Sequence, residues 1–318
     1  MDRRQQAGMR QPHTAEVQEV YDHVLSGAAV QSRHIDVGTD RRVHLLEKGE
    51  GPTLVLLHAA GTAAGLFLPL LHEFERVRAL APDRPGQGLS DPIDLPRQRY
   101  REAVVAWVDR LLDELGLDDT ALLGNSGGAV WALWYALSRP DRVRRLVLIG
   151  SPALPGTRPP LPVRLMATPG VGDLLSRASS PSPESMVRFA RFIGEAETLP
   201  AYPDLLDLLV AVARDPVADR AGRAEVRALT SPFALLSPSG WRRRSRVRRD
   251  DLRRLSVPTQ VVWGERETLG SVATAQALAD LIPQGRLQVL AGGHAPWLAE
   301  PARAAAAIGG FVRDQVSA

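Results

Sequence analysis

The sequence predicts an α/β protein: a doubly wound, mostly parallel sheet covered by helices, with a helical segment inserted late in the chain. Three observations carry this expectation. Apolar stretches within 53–57, 120–123, 144–149 and 259–263 read as strands buried on both faces, 53–57 being apolar almost throughout. Stretches of helical period lie between most of them, so β and α units alternate, as a parallel sheet requires. Between 151 and 257 the alternation stops: prolines crowd the stretch from Pro152 to Pro183 and only short helical runs follow. The expected organisation is an N-terminal tail and helix over 1–32, a core over 33–150 and 258–318, and a helical cap over 151–257.

Each element has its own reason. Residues 1–13 are polar and expected as a tail. Thr14 stands where a helix would be capped, with Val17, Val20, Tyr21, Val24 and Leu25 on one face and Gly27 beyond its end. Residues 33–37 and 42–46 alternate as half-buried strands around a turn at 38–41. Their histidines, His34 and His44, are expected at the surface or sheet edge, because no acids or further histidines cluster with them in sequence. Strand 53–57 runs into a loop of small residues after His58. A helix over 66–74 and a strand over 77–81 follow, then a loop from Pro82 to Asp91. The helix over 97–115 carries Trp107, Val108, Leu111, Leu112 and Leu115 on one face. Strand 120–123 leads into an apolar helix ending near Pro140, followed by strand 144–149. Cap helices are expected near 184–193, 202–213 and 221–229. The core resumes with strand 259–263, a helix over 272–282, strand 286–290 and a final helix over 300–316.

Composition narrows the function classes. With 318 residues the chain is long enough for one α/β domain with an insertion. It has no cysteine, which excludes disulfides and thiolate metal sites. The formal net charge is only +3, and Lys48 is the sole lysine. The pI near 9.7 therefore reflects arginine's high pKa and not a large positive excess, and no nucleic-acid motif accompanies it. The first ten residues lack the apolar core of a signal peptide, and no apolar run approaches a membrane span. A cytoplasmic protein acting away from membranes is the expectation.

The stretch around Gly124-Asn125-Ser126-Gly127-Gly128 fits G-x-S-x-G, a strand–turn–helix pattern that exposes a serine at the sheet edge above a helix N-terminus. Backbone N–H groups and the helix dipole there can face a developing negative charge. A serine hydroxyl needs a base, and the base needs an orienting acceptor. His294 lies in a glycine-rich loop after the last strand and is the candidate base. The acid should follow strand 259–263, where Glu267 is the choice and Glu265 the competitor. His58, Ser126, Glu267 and His294 each follow a separate strand. In an open α/β sheet such positions converge at the carboxyl edge.

Four motifs make the chain resemble the α/β-hydrolase superfamily from about residue 33 onward: His58-Ala59-Ala60-Gly61, the loop Asp83-Arg84-Pro85-Gly86-Gln87-Gly88-Leu89-Ser90, Gly124–Gly128, and Gly293-His294. The resemblance implies that the amides of Gly127 and Ala60 form an oxyanion hole. It implies that His58 shapes that loop without acting as base, and that Asp83-Arg84 and Ser90-Asp91 form a structural turn. Two departures stand out: His58 is followed by Ala59 where glycine is usual, and Glu267 stands where aspartate is usual. Asn125 beside the serine is similar to the C–C bond hydrolases of ring-cleavage pathways.

These readings lead to a cofactor-independent serine hydrolase acting on an ester, thioester or lactone, with no metal. The rival reading is a binding or non-hydrolytic biosynthetic role on the same fold, or C–C hydrolase or haloperoxidase chemistry. The Arg-rich run at 241–254, with six arginines between Arg242 and Arg249, reads first as a solvated connector. The sharper reading is a docking patch for an acidic carrier protein bearing the substrate.

Overall fold

The computed structural model describes residues 13–38, 41–178, 180–233, 235–236 and 240–314. Eight strands form one sheet in these residues: β1 Gln31–Asp36, β2 Arg42–Lys48, β3 Thr53–Leu57, β4 Arg78–Pro82, β5 Thr120–Asn125, β6 Val143–Ile149, β7 Thr259–Gly264 and β8 Gly285–Leu290. Their order is β1-β2-β4-β3-β5-β6-β7-β8, and β2 alone runs against the rest. From β3 the chain steps outward to β4, then crosses back to β5 on the other side. The carboxyl ends of β3 and β5 therefore flank the switch point, where open α/β sheets bind ligands.

The parallel strands are apolar on both faces because helices cover both. Val55, Leu57, Leu122, Leu146 and Val261 enter one core with α3 (Tyr100–Glu114), α4 (Gly127–Ser138) and α11 (Val272–Ala279). Their neighbours Leu54, Leu56, Leu123, Val147 and Val262 enter the other, with α1 (Ala15–Leu25), α2 (Leu68–Glu73) and α12 (Pro301–Arg313). Leu122 is fully buried, so Leu122→Ala would cost roughly 2–5 kcal/mol. Helix α4 is buried from Gly127 to Ala136, as its lack of a polar face foretells. It can start against β3 because residue 128 is glycine: a Cβ there would lie 2.0 Å from the Leu57 carbonyl oxygen.

Between β6 and β7 lie α5 (Leu161–Ala167), α6 (Val171–Ala178), α7 (Pro183–Phe192), α8 (Pro203–Arg214), α9 (Pro216–Leu229) and α10 (Arg249–Arg253). Their described residues add only an isolated antiparallel bridge between Thr230 and Trp241. Helices α5, α6 and α10 were not anticipated. In α5 the proline that argued against structure, Pro162, sits in the first turn, where its missing N–H leaves no bond unmade. Helix α9 begins five residues earlier than its apolar period shows. Asp215 caps it by accepting from the Val217 and Ala218 amides at 2.9 and 2.8 Å.

Several boundaries also shift. The expected helix 66–74 is a 3₁₀ turn, Ala64–Phe67, followed by α2. Helix α3 starts at Tyr100 after a 3₁₀ turn at Arg97–Arg99, and α11 stops at Ala279. Helix α12 ends at Arg313, and residues 315–318 lie outside the described residues, as do 1–12 of the expected tail and positions 39–40 of the expected hairpin turn.

Two histidines correct the sequence reading. His13, assigned to the tail, is buried, with Nδ1 3.0 Å from Asp215 Oδ1 and Nε2 2.8 Å from the Ser90 carbonyl oxygen. His44, assigned to the surface, is 1% exposed and donates from Nδ1 to Asp83 Oδ2 at 2.8 Å. Both acid partners are remote in sequence, which is why no local cluster announced them. His34 is exposed on the edge strand.

Candidate active site

The turn after β5 holds Ser126 at φ 54° and ψ −119°, a region that L-residues rarely adopt and that costs about 1–3 kcal/mol. It persists because both flanks are fixed. The Ser126 amide donates to the Ile149 carbonyl at 2.9 Å, while its carbonyl accepts from Ala129 at 2.9 Å and Val130 at 3.2 Å, the first bonds of α4. Gly124 permits the tight return: a Cβ on it would lie 2.4 Å from the Ala129 backbone. Ser126 is partly exposed and lines a cavity of about 220 Å³. Among the described residues its hydroxyl makes no hydrogen bond.

His294, Gly127 and Ala60 line the same cavity. His294 Nδ1 lies 2.7 Å from Glu267 Oε2. A carboxylate only accepts, so Nδ1 carries the proton and Nε2 is left as an acceptor. The other oxygen of Glu267 accepts from the Thr268 and Leu269 amides at 2.7 and 3.0 Å. Burial pushes the His294 pKa down, but the charge and hydrogen bond of Glu267, with a smaller contribution from Glu195, outweigh it and leave the pKa raised. Glu265 is exposed on the surface. Of the two carboxylates weighed for the acid, the structure brings Glu267 to the imidazole.

The small-residue loop after β3 is held by His58, which is fully buried. Its Nε2 accepts from the Arg84 amide at 2.8 Å, and its Nδ1 faces the Ala59 carbonyl at 2.9 Å and Thr62 Oγ1 at 3.1 Å. Burial, reinforced by the Arg84 charge, lowers its pKa to about 3, so the ring is neutral across the physiological range. The Ala60 Cβ lies 3.5 Å from where a Cβ on Gly127 would sit, so the two residues are neighbours on the cavity wall beside the serine. Gly127 opens α4, and first-turn amides have no partner within their helix.

Asp83 anchors the neighbouring turn. It accepts from the Tyr21 hydroxyl at 2.9 Å, the Ala64 amide at 2.6 Å and the Leu89 amide at 3.0 Å, besides His44. Burial would raise its pKa, but the His44 hydrogen bond and charge, with His58 and the Ala64 amide, hold it low. Arg84 pairs with Glu225 of α9 at 2.8 Å, fully buried. The Glu225 carboxylate lies where a Cβ on Gly127 would be, so any larger residue there would have to push Glu225 off its Arg84 partner.

Three contributors were not anticipated. Gly150, at φ 53°, lies against the Glu267–His294 pair. Asn125, noticed only for its neighbour, donates from Nδ2 to the His294 carbonyl at 2.9 Å and so ties β5 to the histidine loop. Glu195, between α7 and α8, accepts from the amides flanking His294. Asn125 was visible as part of a motif. Gly150 and Glu195 had no local signal, since the residues of the site that they meet lie 98 or more positions away in the chain.

No helix of the described residues is long and apolar enough to cross a membrane. The chain is 32% identical to the pimeloyl-[acyl-carrier protein] methyl ester esterase of Aromatoleum aromaticum over 271 residues, 82% of this chain and 98% of that protein. It is 29% identical to the 2-hydroxy-6-oxononadienedioate/2-hydroxy-6-oxononatrienedioate hydrolase of Paraburkholderia phymatum over 255 residues, 76% of this chain and 82% of that one. Among solved structures, carboxylesterase CesB of Bacillus subtilis superposes with a TM-score of 0.71 at 21% identity, covering 94% of this chain and 98% of that one. The model of the alpha/beta hydrolase fold family matches residues 52–301. With the sheet order and the strained turn at Ser126, these matches lead to one conclusion: the chain belongs to the alpha/beta hydrolase fold family.

Proposed function

We propose that this enzyme is a cofactor-independent serine hydrolase of esters, thioesters or lactones, with a largely apolar acyl group. The observation that carries the reading is His294, paired with Glu267 at 2.7 Å, lining the same cavity as a strained, partly exposed Ser126. In this mechanism Ser126 Oγ attacks the carbonyl carbon as its proton passes to His294 Nε2. The amides of Gly127 and Ala60 hold the oxyanion, a term worth about 3 kcal/mol per donor. The intermediate collapses as His294 returns the proton to the leaving alcohol or thiol. Water then repeats the sequence and releases the acid and free Ser126. Glu267 fixes the tautomer throughout, His58 supports the oxyanion loop, and the segment over 151–257 serves as a cap.

Pocket chemistry favours this reading over cleavage of a dienedioate such as the Paraburkholderia relative's name describes. Leu66, Val163, Met186, Phe189, Leu229 and Leu298 line the cavity, and no arginine or lysine does among the described residues. A substrate with two carboxylates would need such cations. The test is a panel of p-nitrophenyl esters, acyl thioesters, lactones and a 2-hydroxy-6-oxodienoate, run with wild type and Ser126→Ala. Turnover of an ester-type substrate, lost in Ser126→Ala, is the expected result. Turnover of the dienoate alone would overturn the substrate class.

A second feature bears on how the acyl group arrives. Arg97, Arg101, Arg242, Arg243, Arg244 and Arg246 line a cleft of about 1220 Å³ that shares Trp241 with the Ser126 cavity. We read this cleft as the dock for an acidic carrier protein. On that reading, kcat/KM for a carrier-bound acyl substrate falls steeply with added salt while kcat/KM for a small ester does not. Equal salt dependence of the two would remove the carrier.

A further inference from the structure

Helix α7 ends against the loop that carries His294. Its last residue, Phe192, accepts at its carbonyl from the Thr268 hydroxyl at 2.8 Å, which ties it to the Glu267 loop. Gly194 then turns the chain at φ 77°, where a Cβ would lie 2.2 Å from the Arg266 carbonyl oxygen and 3.0 Å from Gly293 Cα. The next contacts involve three successive amides. Gly293 and Ala295 both donate to Glu195 Oε1, at 2.9 and 2.6 Å, and His294 between them donates to the Ile193 carbonyl at 2.9 Å. The second oxygen of Glu195 accepts from the Thr198 hydroxyl. This carboxylate is 1% exposed and lines the Ser126 cavity.

A buried carboxylate to which no cationic side chain bonds among the described residues is an unusual way to hold a loop, because a neutral acceptor would satisfy the same two amides. The negative charge has one evident beneficiary. Among the described residues, the titratable groups acting on the His294 imidazole are Glu267 from the loop after β7 and Glu195 from the end of α7. We propose that Glu195 is a positioning residue for the base: its carboxylate clamps the His294 loop to α7, and its charge stabilises the imidazolium formed when the base takes the serine proton. Seating of the cap and placement of the base are then one event. The inference rests on the reading of His294 as the base.

Two variants separate the clamp from the charge. Glu195→Gln keeps an oxygen for both amides and can donate from its amide nitrogen to Thr198, so it holds the loop and removes the charge. Glu195→Ala removes both. The first readout is the pKa of His294 by NMR titration of its ring, which needs no turnover. In Glu195→Gln it should fall, and the acidic limb of kcat/KM should move down with it. The second readout is the rate of Ser126 modification by a fluorophosphonate, together with kcat on a small ester. Glu195→Ala should lose roughly 10- to 100-fold in both with KM little changed, and Gln should restore most of the loss. An unmoved His294 titration in Glu195→Gln overturns the charge role even if Glu195→Ala does not fold. A folded Glu195→Ala that reacts at the wild-type rate overturns the clamp. If wild type itself resists the fluorophosphonate, the serine-hydrolase reading fails, while the NMR comparison still decides what Glu195 does to His294.

Discussion

Substitution of Gly150 by alanine would strike the candidate triad without touching any of its members. Gly150 follows β6 at φ 53°, and a Cβ built on it lies 2.7 Å from Glu267 Oε2, 2.7 Å from His294 Nδ1 and 2.9 Å from His294 Cε1. Ordinary contact begins near 3.4 Å, so the methyl group must push the pair aside by about 0.7 Å. Their hydrogen bond is 2.7 Å long, and such bonds weaken steeply with distance and angle. Losing the orienting carboxylate's proper contact in a triad of this kind lowers kcat by up to about 10⁴-fold, so a displaced contact should cost roughly 10²–10⁴-fold. The stability cost is smaller. Left-handed backbone at an alanine costs roughly 1–2 kcal/mol, which in a chain of this size lowers Tm by only a few degrees. The assay is kcat on the best ester of the panel beside Tm by circular dichroism. A Gly150→Ala protein that folds with a Tm within several degrees of wild type and keeps wild-type kcat would refute the triad as drawn.

Other consequences follow from the same geometry. The His294 pKa is raised, and a base must be deprotonated to act, so kcat/KM should rise with pH and reach half its maximum above pH 6.5. An acidic limb centred below 6 would show that Glu267 does not hold the imidazole. Because φ at Ser126 is positive, Ser126→Gly should be inactive yet more stable than Ser126→Ala by about 1 kcal/mol, measured by urea unfolding. The reverse order would mean the turn is unstrained. His13 and Asp215 join the N-terminal segment to the start of α9. Burial lowers the His13 pKa, but Asp215 and the Ser90 carbonyl raise it further, so its contribution is complete below about pH 6.5 and lost as pH rises through the raised value. Asp215 is shifted to about 2, so its contribution holds above about pH 4 and fades as pH falls towards 2. His13→Ala should therefore lower Tm more at pH 6 than at pH 9; an equal loss at both would leave the pair without electrostatic weight.

What could be read from the sequence depended on whether a signal was local. Runs such as 54–57 and 146–149 show burial directly, because a strand covered on both faces has no polar alternation to hide in. The turn at Ser126 was legible because steric demands at Gly124 and Gly128 are met within five residues. His294 and Glu267 could be placed by their positions after successive strands. Pro162 misled, since proline marks a helix start as readily as a break. His44, Gly150 and Glu195 could not be read at all. Each owes its role to partners brought near by the sheet or by α7, and such long-range contacts leave no period in the chain.

The central claim is that Ser126 is a nucleophile activated by His294. The most direct measurement is intact mass after treatment with a fluorophosphonate, with wild type, Ser126→Ala and His294→Ala side by side. Wild type should gain one phosphonyl group, located at Ser126 by peptide mapping. Ser126→Ala should gain none, and His294→Ala should react at least about 10³-fold more slowly. Labelling of Ser126 at the same rate in wild type and His294→Ala would contradict the claim, as would a folded wild type that resists even the smallest phosphonate.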